Sequence, residues 1–472
     1  MAPQTIIVLD IGTSGVKAAT LDANGAVLCE ARADYEAVSP HPGWFEQAPD
    51  DWAAAAKEAI GQLGDLRAAA LLALTGAMQN IIVLAADGQP LRPAILYSDG
   101  RAAERFCEFS LRMQSLGAAA RVGNQIDHLM CSAKWEWLAA EAPSIVRDTA
   151  ILHTGAKDYI GYLLTGRHAT DATSASATGL MNLASRDWDP EILGELKISR
   201  EQLPRIIAAD AILGKVSAAA AHRFGLPSGL PVLNGTGDAG AATVGAGIEL
   251  PNEAYVYLGT SGWVARVAAE HDKRTPLTIY TLSHPNPGLL IEIAPILSAG
   301  DAITWVQEIC DEAPLAEEAG DSIPPMFLPY LKGERSPFHD PFVRGAFLGL
   351  DRSHGRFALQ KAVFEGVALA IRHNLVELGK SEGALTALGG GAMNRPWMRI
   401  LADITAIPIR VHSAPMVATA FGAGLLGART LGQRLPPVGF SEHFQPREGS
   451  SERAAETFRR YKAASDFLRS WR

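Results

Sequence analysis

The stretch Val8-Leu9-Asp10-Ile11-Gly12-Thr13-Ser14-Gly15-Val16-Lys17 decides the fold of this chain, and its central turn occurs twice. Gly12-Thr13-Ser14-Gly15 recurs in the second half of the chain as Gly259-Thr260-Ser261-Gly262. Each copy lies between two apolar runs rich in β-formers, and glycine tolerates the positive φ that a hairpin turn demands. The pattern predicts strand, tight turn and strand in each half, and therefore a duplicated domain.

Both turns are suited to binding phosphate. Two glycines flanking a Thr-Ser pair leave backbone N–H groups and hydroxyls unobstructed, which is a plausible cradle for phosphate oxygens. The copies differ in one respect, because Asp10 ends the first leading strand whereas Tyr257 stands at the corresponding place in the second. We therefore expect one half to hold charged chemistry that the other lacks.

Length, composition and charge indicate which broad class of protein this is. A chain of 472 residues predicts two or three domains, and 48% hydrophobic with 20% charged residues is ordinary for a soluble globular enzyme. The net charge of −9 argues against a broad nucleic-acid-binding surface. The four cysteines contain no C-x-x-C pair, which indicates neither a disulfide framework nor a zinc site. Without a signal peptide or an apolar run of membrane-spanning length, the chain is expected to be cytoplasmic.

Local patterns predict the remaining elements. Asn24-Gly25 is a type I′ hairpin signal, so the opening is a three-stranded antiparallel meander. Asp50 is a natural N-cap for a helix over 51–63. We place a domain boundary near 249–252, giving domains 1–250 and 251–472. Further strands are predicted at 68–74, 81–85, 230–233 and 385–388, and further helices at 101–116, 134–141, 157–164, 241–247, 301–308, 357–378 and 396–406.

Two kinds of feature indicate the chemistry of this protein: Gly-rich turns that follow strands, and two aspartates. Besides the duplicated turn, Asp238 lies in the segment 234–240, and Gly389-Gly390-Gly391-Ala392 follows another strand. Such turns bind phosphates through N–H groups, while carboxylates hold hydrated Mg²⁺ or accept a proton. Each acid alone would be a helix cap or turn residue. Beside the duplicated turns, Asp10 and Asp238 indicate Mg-nucleotide chemistry.

Two other motifs indicate different nucleotide sites. Gly235-x-Gly237-x-x-Gly240 matches a dinucleotide fingerprint, which would make the protein a dehydrogenase, but a lone match is weak and Asp238 would oppose a pyrophosphate. Gly379-Lys380-Ser381 resembles the end of a Walker A motif, yet Asn374 stands where its first glycine belongs. We reject the second motif and keep the dehydrogenase as an alternative.

Taken together, the chain resembles the FGGY family of carbohydrate kinases, most closely its xylulokinase branch, over nearly its whole length. The ordered matching pieces are Leu9-Asp10-Ile11-Gly12-Thr13-Ser14-Gly15-Val16-Lys17, Leu91-Arg92-Pro93-Ala94-Ile95-Leu96 with Asp99-Gly100-Arg101, Lys157-Asp158-Tyr159, Gly237-Asp238, Leu258-Gly259-Thr260-Ser261-Gly262, Phe327-Leu328-Pro329-Tyr330-Leu331, Gly333-Glu334-Arg335, Gly345-x-Phe347-x-Gly349-Leu350, Ala362-Val363-Phe364-Glu365-Gly366 and Gly389-Gly390-Gly391-Ala392. The resemblance implies an α/β fold of two ribonuclease-H-like domains of the actin/sugar-kinase superfamily, with a catalytic cleft between them.

The resemblance also implies roles for individual residues. Asp238 would be the catalytic base that accepts the proton of the sugar hydroxyl, and Asp10 would organise Mg²⁺, with Asp238 as a second metal contact. ATP would be bound by Gly12, Thr13, Ser14, Gly259, Thr260, Gly300, Gly390, Gly391 and Asn394, the last three lining the adenosine pocket. The sugar would be bound by Met78, Gln79, Asp99 and Asp238, on the side of the N-terminal domain.

The expected reaction is ATP-dependent conversion of D-xylulose to D-xylulose 5-phosphate, but the chain departs from the xylulokinase pattern. Met78-Gln79-Asn80 stands where xylulokinases usually have Met-His-Gly, and Ala239 follows the base where Asn or Gln is usual. Ala358 replaces a polar residue, at an expected helix start. D-Ribulose, 1-deoxy-D-xylulose, a polyol or a sugar acid such as gluconate are therefore alternative substrates. An actin-like ATPase that does not act on sugars is the alternative of another class, and a homodimer remains an option.

Overall fold

The computed structural model describes residues 5–22, 25–271, 278–310, 324–379, 382–433 and 438–470. Over these residues the chain forms two compact units. The first consists of Met1–Gly247, Thr281–Leu290 and Thr419–Pro437, and the second of Ile248–Tyr280, Ile291–Ala418 and Val438–Arg472. Each unit has its own sheet. Segments 281–290 and 419–437 thus lie beyond the predicted boundary at 250/251 but pack with the first unit.

The chain contains both strands and helices. The strands are β1 (Thr5–Ile11), β2 (Gly15–Leu21), β3 (Val27–Asp34), β4 (Glu46–Gln47), β5 (Ala69–Gly76), β6 (Ile82–Leu84), β7 (Ala94–Ile95), β8 (Ile151–His153), β9 (Ala169–Thr170), β10 (Met181–Asn182), β11 (Asp187–Trp188), β12 (Arg205–Ile206), β13 (Ile212–Lys215), β14 (Pro231–Gly237), β15 (Ala254–Leu258), β16 (Gly262–Ala268), β17 (Tyr280–Ser283), β18 (Leu290–Ile296), β19 (Met326–Leu328), β20 (Ala346–Leu348), β21 (Leu385–Leu388), β22 (Ile409–His412) and β23 (Phe440–Phe444). The helices are α1 (Pro49–Gly61), α2 (Phe106–Ser115), α3 (Ala118–Val122), α4 (Cys131–Glu141), α5 (Pro143–Asp148), α6 (Ala156–Thr165), α7 (Ala172–Ser176), α8 (Pro190–Leu196), α9 (Ala218–Phe224), α10 (Asp238–Gly245), α11 (Gly300–Ile309), α12 (Arg356–Leu378), α13 (Arg395–Thr405), α14 (Ala418–Thr430) and α15 (Ser450–Ser470). Short 3-10 helices lie at Arg101–Arg105, Arg200–Gln202 and Gly390–Met393.

The sheet of the first unit has the strand order β13-β14-β5-β1-β2-β3. β1 pairs antiparallel with β2, and β2 with β3, which confirms the predicted meander. On its other side β1 pairs parallel with β5, and β5 with β14, while β13 closes the sheet in antiparallel orientation. The run Ile6 to Leu9 is buried because helices cover the central strands, and α1 inserts Trp52 into the same core.

The sheet of the second unit repeats this arrangement. From β18 onward its order is β18-β16-β15-β21-β22-β23. β15 pairs antiparallel with β16 and parallel with β21, which pairs parallel with β22, and β22 pairs antiparallel with β23. Its core lies against the long helix α12 and against α13. The same sequence of strand orientations in both units confirms that the two copies of the Gly-Thr-Ser-Gly turn mark a duplicated domain.

The prediction for the Gly-rich segment at 234–240 is wrong in one respect. We predicted a turn before a helix at 241–247, but β14 continues through Gly237 and α10 begins directly at Asp238. Gly235 permits this because it adopts φ +67°, and a Cβ there would lie 1.7 Å from the carbonyl oxygen of Leu74 on β5. Local sequence periodicity does not predict a β-bulge of this kind, because the bulge depends on pairing with another strand.

Several other boundaries also differ from the prediction. The N-cap of α1 is Ala48 rather than Asp50, because Pro49 takes the first helical position and places Asp50 inside the first turn. The helix predicted over 101–116 is a 3-10 turn followed by α2. Asn24 lies outside the described residues, so its turn type stays a prediction. α12 begins at Arg356, which confirms that Ala358 lies at a helix start.

Candidate active site

Three neighbouring parallel strands of the first unit end at the same level. Asp10 on β1 is in register with Thr75 on β5, and Thr75 with Thr236 on β14. Because Asp238 follows β14 directly, both candidate acids lie at the carboxyl edge of the sheet, where α/β proteins bind their ligands. The register therefore brings together two acids that are far apart in sequence.

Asp10 is half-buried and faces Lys17 across the antiparallel pair β1–β2. Burial raises the pKa of its carboxyl above the ordinary value, and the charge of Lys17 opposes that rise. In the second unit the same cross-strand position is occupied by Tyr257 and Trp263, whose rings stack with centroids 4.1 Å apart. The charged pair thus exists only in the first unit, as expected from the sequence.

Asp238 is the first residue of α10, and its Oδ1 accepts a hydrogen bond of 2.8 Å from the Ala239 N–H. Burial, the charge of Asp10 and the charge of Asp171 raise the pKa of Asp238 to about 7, with burial the largest cause, while the Ala239 N–H lowers it. A carboxyl group whose pKa lies near neutral pH can accept and release a proton under working conditions. This is the property that a general base requires.

A buried charged cluster near Asp238 contains Lys157 and Asp158, which belong to a motif of the family resemblance, and Asp171, which was not predicted as part of the site. Asp171 accepts hydrogen bonds from Ser174 Oγ (2.6 Å) and Thr236 Oγ1 (2.7 Å), and it pairs with Lys157 Nζ at 3.1 Å. Lys157 also pairs with Asp158 at 2.7 Å. These contacts stabilise the charge of Asp171 and lower its pKa, although burial opposes this. The Asp171 carboxylate caps α7. An aspartate before a Ser/Thr-rich stretch is typical of a helix N-cap, and this pattern was the signal in the sequence that could have pointed to Asp171.

The turn Gly12–Ser14 has the hydrogen bonding of an anion site. Its three carbonyl oxygens accept from Tyr35 O–H (2.5 Å, on Gly12), Gln47 Nε2 (2.8 Å, on Thr13) and Tyr35 N–H (3.2 Å, on Ser14). Thr13 and Ser14 are exposed, and within the described residues their N–H groups donate to no protein acceptor. Because its carbonyls are engaged and two N–H groups are free, the turn can bind negatively charged oxygens by donating hydrogen bonds to them.

The second turn is closed by main chain alone. The Gly259 N–H donates to Ser261 O at 2.9 Å. The Gly259 carbonyl accepts from the Gly300 N–H (2.9 Å), and the Thr260 carbonyl from the Asp301 N–H (3.0 Å). Gly300 opens α11 with no room for a side chain, since a Cβ there would lie 2.3 Å from Gly259 O. The three residues predicted to bind ATP in this region, Gly259, Thr260 and Gly300, are therefore in direct contact.

The glycine segment after β21 lies at the same edge of the second sheet. Tyr257 on β15 is in register with Leu388, so Gly389 begins the turn beside the end of β15. Gly390 and Gly391 form a 3-10 turn, and a Cβ at Gly390 would meet Met416 Sδ at 3.3 Å. Asn394 caps α13 by accepting from the Trp397 N–H at 3.0 Å, so one side-chain atom of Asn394 is used structurally.

Met78 and Gln79, both predicted to bind the sugar, make different contacts. Met78 packs on Gly237, where a Cβ would lie 2.1 Å from Met78 Sδ. Gln79 adopts φ +60°, a conformation that costs a side-chain-bearing residue energy, and its Nε2 donates to Ala177 O at 2.7 Å. Because that bond uses one of the two Nε2 N–H donors, Oε1 remains as an acceptor and the second N–H as a donor for a ligand.

Asp99 is buried, and its carboxylate is engaged by the protein. Its two oxygens accept from Arg101, at 2.8 Å each for Nε and Nη2, and Oδ2 also accepts from the Phe45 N–H at 2.6 Å. The guanidinium of Arg101 lies 4.1 Å from the ring centroid of Trp44 and pairs with Glu46 at 2.7 Å. The structure thus shows Asp99 organising a loop, and its predicted contact with sugar remains a prediction.

Lys134 was not predicted, and it joins two segments of the predicted sugar side. It is buried, and its Nζ donates to the carbonyls of Gln79 (3.4 Å), Leu96 (2.6 Å) and Tyr97 (3.0 Å). Burial lowers the pKa of its ammonium to about 8, against the opposing effects of neighbouring Cys131, Asp99 and Asp127. Nothing in the local sequence marks a lysine near the start of a helix as buried, so only tertiary packing could show this residue.

The donor set at the sheet edge suits a hydrated metal ion. Among the described residues no group of three or more His, Cys, Asp or Glu side chains is arranged to enclose a metal. Mg²⁺ is usually held by one or two carboxylates together with water and substrate phosphates. Asp10 and Asp238, whose charges repel each other, fit that requirement.

The other nucleotide motifs do not form nucleotide sites here. Gly235 and Gly237 lie within β14, so no Gly-rich loop separates the strand from α10. Gly379 ends α12 rather than opening a helix, and Lys380 and Ser381 lie outside the described residues. Within the described part of the chain, no helix has the length and apolarity needed to span a membrane.

Comparison with known proteins identifies the family. The N-terminal domain of the FGGY family of carbohydrate kinases matches residues 5–245, and its C-terminal domain matches residues 254–431. A xylulose kinase of Escherichia coli K12 is 31% identical over 96% of this chain and 97% of its own length. A glycerol kinase of Alkalilimnicola ehrlichii is 30% identical over 91% of this chain and 90% of its own length. The crystal structure of a xylulose kinase from Rhodospirillum rubrum superposes with a TM-score of 0.88 at 30% identity, covering 99% of both chains.

The two family models cover residues 5–245 and 254–431, and these matches support neither a dehydrogenase nor an actin-like ATPase without sugar activity. The chain belongs to the FGGY family of carbohydrate kinases.

Proposed function

We propose that this carbohydrate kinase transfers the γ-phosphoryl group of ATP to D-xylulose and forms D-xylulose 5-phosphate. The observation that carries the proposal is Asp238, a carboxyl group at the carboxyl edge of the sheet whose pKa is raised to about 7. The xylulose kinase of Escherichia coli, similar over nearly the whole length of both chains, supports the choice of sugar.

Asp238 acts as the base in this proposal. A sugar hydroxyl attacks the γ-phosphorus, its proton passes to the Asp238 carboxylate, and the bond to the ADP oxygen breaks. A positioned base contributes ~10²–10⁴-fold to such a step. Phosphoryl transfer otherwise depends on alignment and on stabilisation of charge, so most of the remaining residues bind and orient.

The phosphates are assigned to the N–H groups and hydroxyls of Thr13 and Ser14 in the first unit, with Gly12 allowing the close approach. Gly259, Thr260 and Gly300 are assigned to the nucleotide in the second unit, and Gly390, Gly391 and Asn394 to adenosine. Asp10 and Asp238 would hold Mg²⁺. When bound, the metal supplies positive charge that neutralises the phosphate oxygens.

The charges near Asp238 favour a neutral sugar. Asp10, Asp238 and Asp171 each carry a carboxyl group, and both Asp10 and Asp171 act on the pKa of Asp238. A sugar acid such as gluconate would bring a further negative charge to this edge, which is unfavourable at short range. Gln79 is uncharged and tethered to Ala177, so it offers an acceptor to a sugar hydroxyl rather than a cation to a carboxylate.

A neutral polyol is the second candidate, supported by the glycerol kinase of Alkalilimnicola ehrlichii. Ala239 lacks an amide that could bind a hydroxyl, and a site without such a partner discriminates poorly between related substrates. We therefore expect D-ribulose and 1-deoxy-D-xylulose to be accepted alongside D-xylulose. A cytoplasmic location and a homodimer stay predictions.

The test is ADP release with a panel of substrates. D-Xylulose, D-ribulose, 1-deoxy-D-xylulose, glycerol and gluconate are compared by kcat/KM, and phosphorus NMR identifies the phosphorylated position. The Asp238→Asn variant measures the ADP release that does not depend on the proposed base. The matched control is Asp51→Asn, which removes an exposed carboxyl group in the first turn of α1. The highest kcat/KM should belong to D-xylulose. A higher value for gluconate, or unchanged turnover in Asp238→Asn, would refute the proposal.

A further inference from the structure

We infer that Tyr35 and Gln47 are positioning residues for nucleotide binding, because they set the orientation of the peptide groups in the turn Gly12–Ser14. The inference rests on the proposed function, in which this turn binds the phosphates of ATP. Neither residue belongs to the motifs by which the chain resembles its family.

The contacts assign one side chain to each peptide group. Tyr35 O–H donates to the Gly12 carbonyl at 2.5 Å, and Gln47 Nε2 donates to the Thr13 carbonyl at 2.8 Å. In a trans peptide the C=O of one residue and the N–H of the next point in opposite directions within one plane. Tyr35 therefore directs the Thr13 N–H away from itself, and Gln47 does the same for the Ser14 N–H.

The duplicated turn shows that this use of side chains is particular to the first unit. In the second unit the carbonyls of Gly259 and Thr260 accept from the N–H groups of Gly300 and Asp301, at the start of α11. Those donors are main-chain N–H groups, which no side-chain substitution other than proline removes. The first turn depends on two side-chain donors for the equivalent task, and it is the one that can be altered by mutation.

Gln47 is held firmly enough to perform this task. It is 2% exposed, and its Oε1 accepts from Trp52 Nε1 at 2.9 Å, which leaves Nε2 facing Thr13. The neighbouring residues anchor the same short strand, since Glu46 pairs with Arg101 and the Phe45 N–H donates to Asp99. The oxygen and the nitrogen of the Gln47 amide thus each have a hydrogen-bond partner, which fixes the orientation of the side chain.

Tyr35 is held as a donor over the working pH range. Its ring is partly buried, and both burial and the negative charge of Asp10 raise the pKa of the phenol above its ordinary value. The hydroxyl consequently remains protonated at neutral pH. Its main-chain N–H binds the Ser14 carbonyl at 3.2 Å as well, which fixes the phenol against the turn.

Loss of either donor frees a peptide group to rotate. A rotated peptide would present its carbonyl oxygen where the phosphate oxygens need an N–H, exchanging an attraction for a repulsion. The loss of one such hydrogen bond corresponds to a change of about 10-fold in affinity. The effect is confined to ligands with phosphates, because adenosine makes no use of this turn.

The experiment compares Tyr35→Phe and Gln47→Leu with the unmodified enzyme. Each should raise KM for ATP and the Kd of ATP measured by calorimetry about 10-fold, while KM for D-xylulose and the Kd of adenosine change less than about twofold. Gln47→Glu should weaken ATP binding further, since it keeps the Trp52 contact but places an acceptor against the Thr13 carbonyl. Tyr162→Phe, which removes a phenol elsewhere in the first unit, is the matched control and should leave every constant unchanged.

The outcomes separate this inference from the proposed function. If no sugar is phosphorylated but ATP binding weakens in both variants, the proposed function fails and the positioning role stands. If the sugar is phosphorylated and ATP binding is unchanged, or if adenosine binding weakens equally, the positioning role is refuted. Tyr35→Phe removes a single oxygen atom, so it keeps the test available even where Gln47→Leu lowers the melting temperature.

Discussion

The pKa of Asp238 makes the pH dependence of this enzyme predictable. With a pKa of about 7, Asp238 must lose its proton before it can act as a base. The ionised fraction is about nine-tenths at one unit above that pKa and about one-tenth at one unit below it. We therefore expect kcat/KM for the sugar to fall about tenfold between ~pH 8 and ~pH 6.

The assay is initial-rate ADP release at saturating ATP and excess Mg²⁺, with coupling enzymes present in sufficient amount at every pH. Asp10→Asn provides the internal check, since the charge of Asp10 is the second cause of the raised pKa after burial. In that variant the remaining activity should shift its midpoint toward lower pH. A profile that is flat from ~pH 8 to ~pH 6, or an unshifted midpoint in Asp10→Asn, would contradict the assignment of Asp238.

The same raised pKa predicts a cost in stability with a defined sign. Because the folded pKa exceeds the unfolded value, the native state binds the proton more tightly, and stability falls as pH rises from the unfolded pKa toward about 7. A difference of roughly three units corresponds to at most about 4 kcal/mol, with solvent screening reducing it. Asp238→Asn should accordingly raise the melting temperature at neutral pH while abolishing turnover. A lower melting temperature would show that the carboxylate is stabilised in the fold.

The remaining predictions concern metal, substrate and fold. Asp10→Asn should raise the Mg²⁺ concentration needed for half-maximal rate, and an identical titration would count against a metal role for this residue. Gln79→His combined with Ala239→Asn should increase the preference for D-xylulose over D-ribulose, measured as a ratio of kcat/KM; a decrease would show that the unmodified residues serve a different sugar. Gly235→Ala should destabilise the protein by on the order of 1–3 kcal/mol or prevent folding, since φ +67° and the Leu74 carbonyl leave no space for a Cβ; urea unfolding with an unchanged midpoint would refute this.

Much of the architecture could be predicted from the sequence alone, because the hairpins and several helices and strands follow from patterns among neighbouring residues. The repeated turn at Gly12 and Gly259 predicts the two hairpins, although the reason for its glycines is not the positive φ that we expected. Close backbone approach requires them, since a Cβ at Gly15 would lie 2.6 Å from Ala33 O and one at Gly262 would lie 2.7 Å from Tyr257 O. The contrast between Asp10 and Tyr257 correctly predicted that this cross-strand position carries a charged pair in the first unit and two aromatic rings in the second. β21 and α12 follow from apolar runs and periodicity, which depend on neighbouring residues.

Only the tertiary structure decided how the site is assembled. Asp10 and Asp238 share one edge because β1, β5 and β14 pair in a particular register, and register depends on contacts between residues far apart in the chain. The bulge at Gly235 and the start of α10 at Asp238 follow from the same pairing. A local pattern cannot report such contacts, so the sequence could name the two acids but not the strand register that sets their environment.

The supporting residues depended on tertiary structure for a related reason. Gln47, Lys134 and Asp171 are polar residues that sequence patterns place at surfaces or caps, yet each is buried with specific partners. Burial of a polar group is tolerated only where its hydrogen bonds are satisfied, and those partners come from other parts of the chain. The residues that hold the site in shape therefore became visible only once the strands and loops around them were in place.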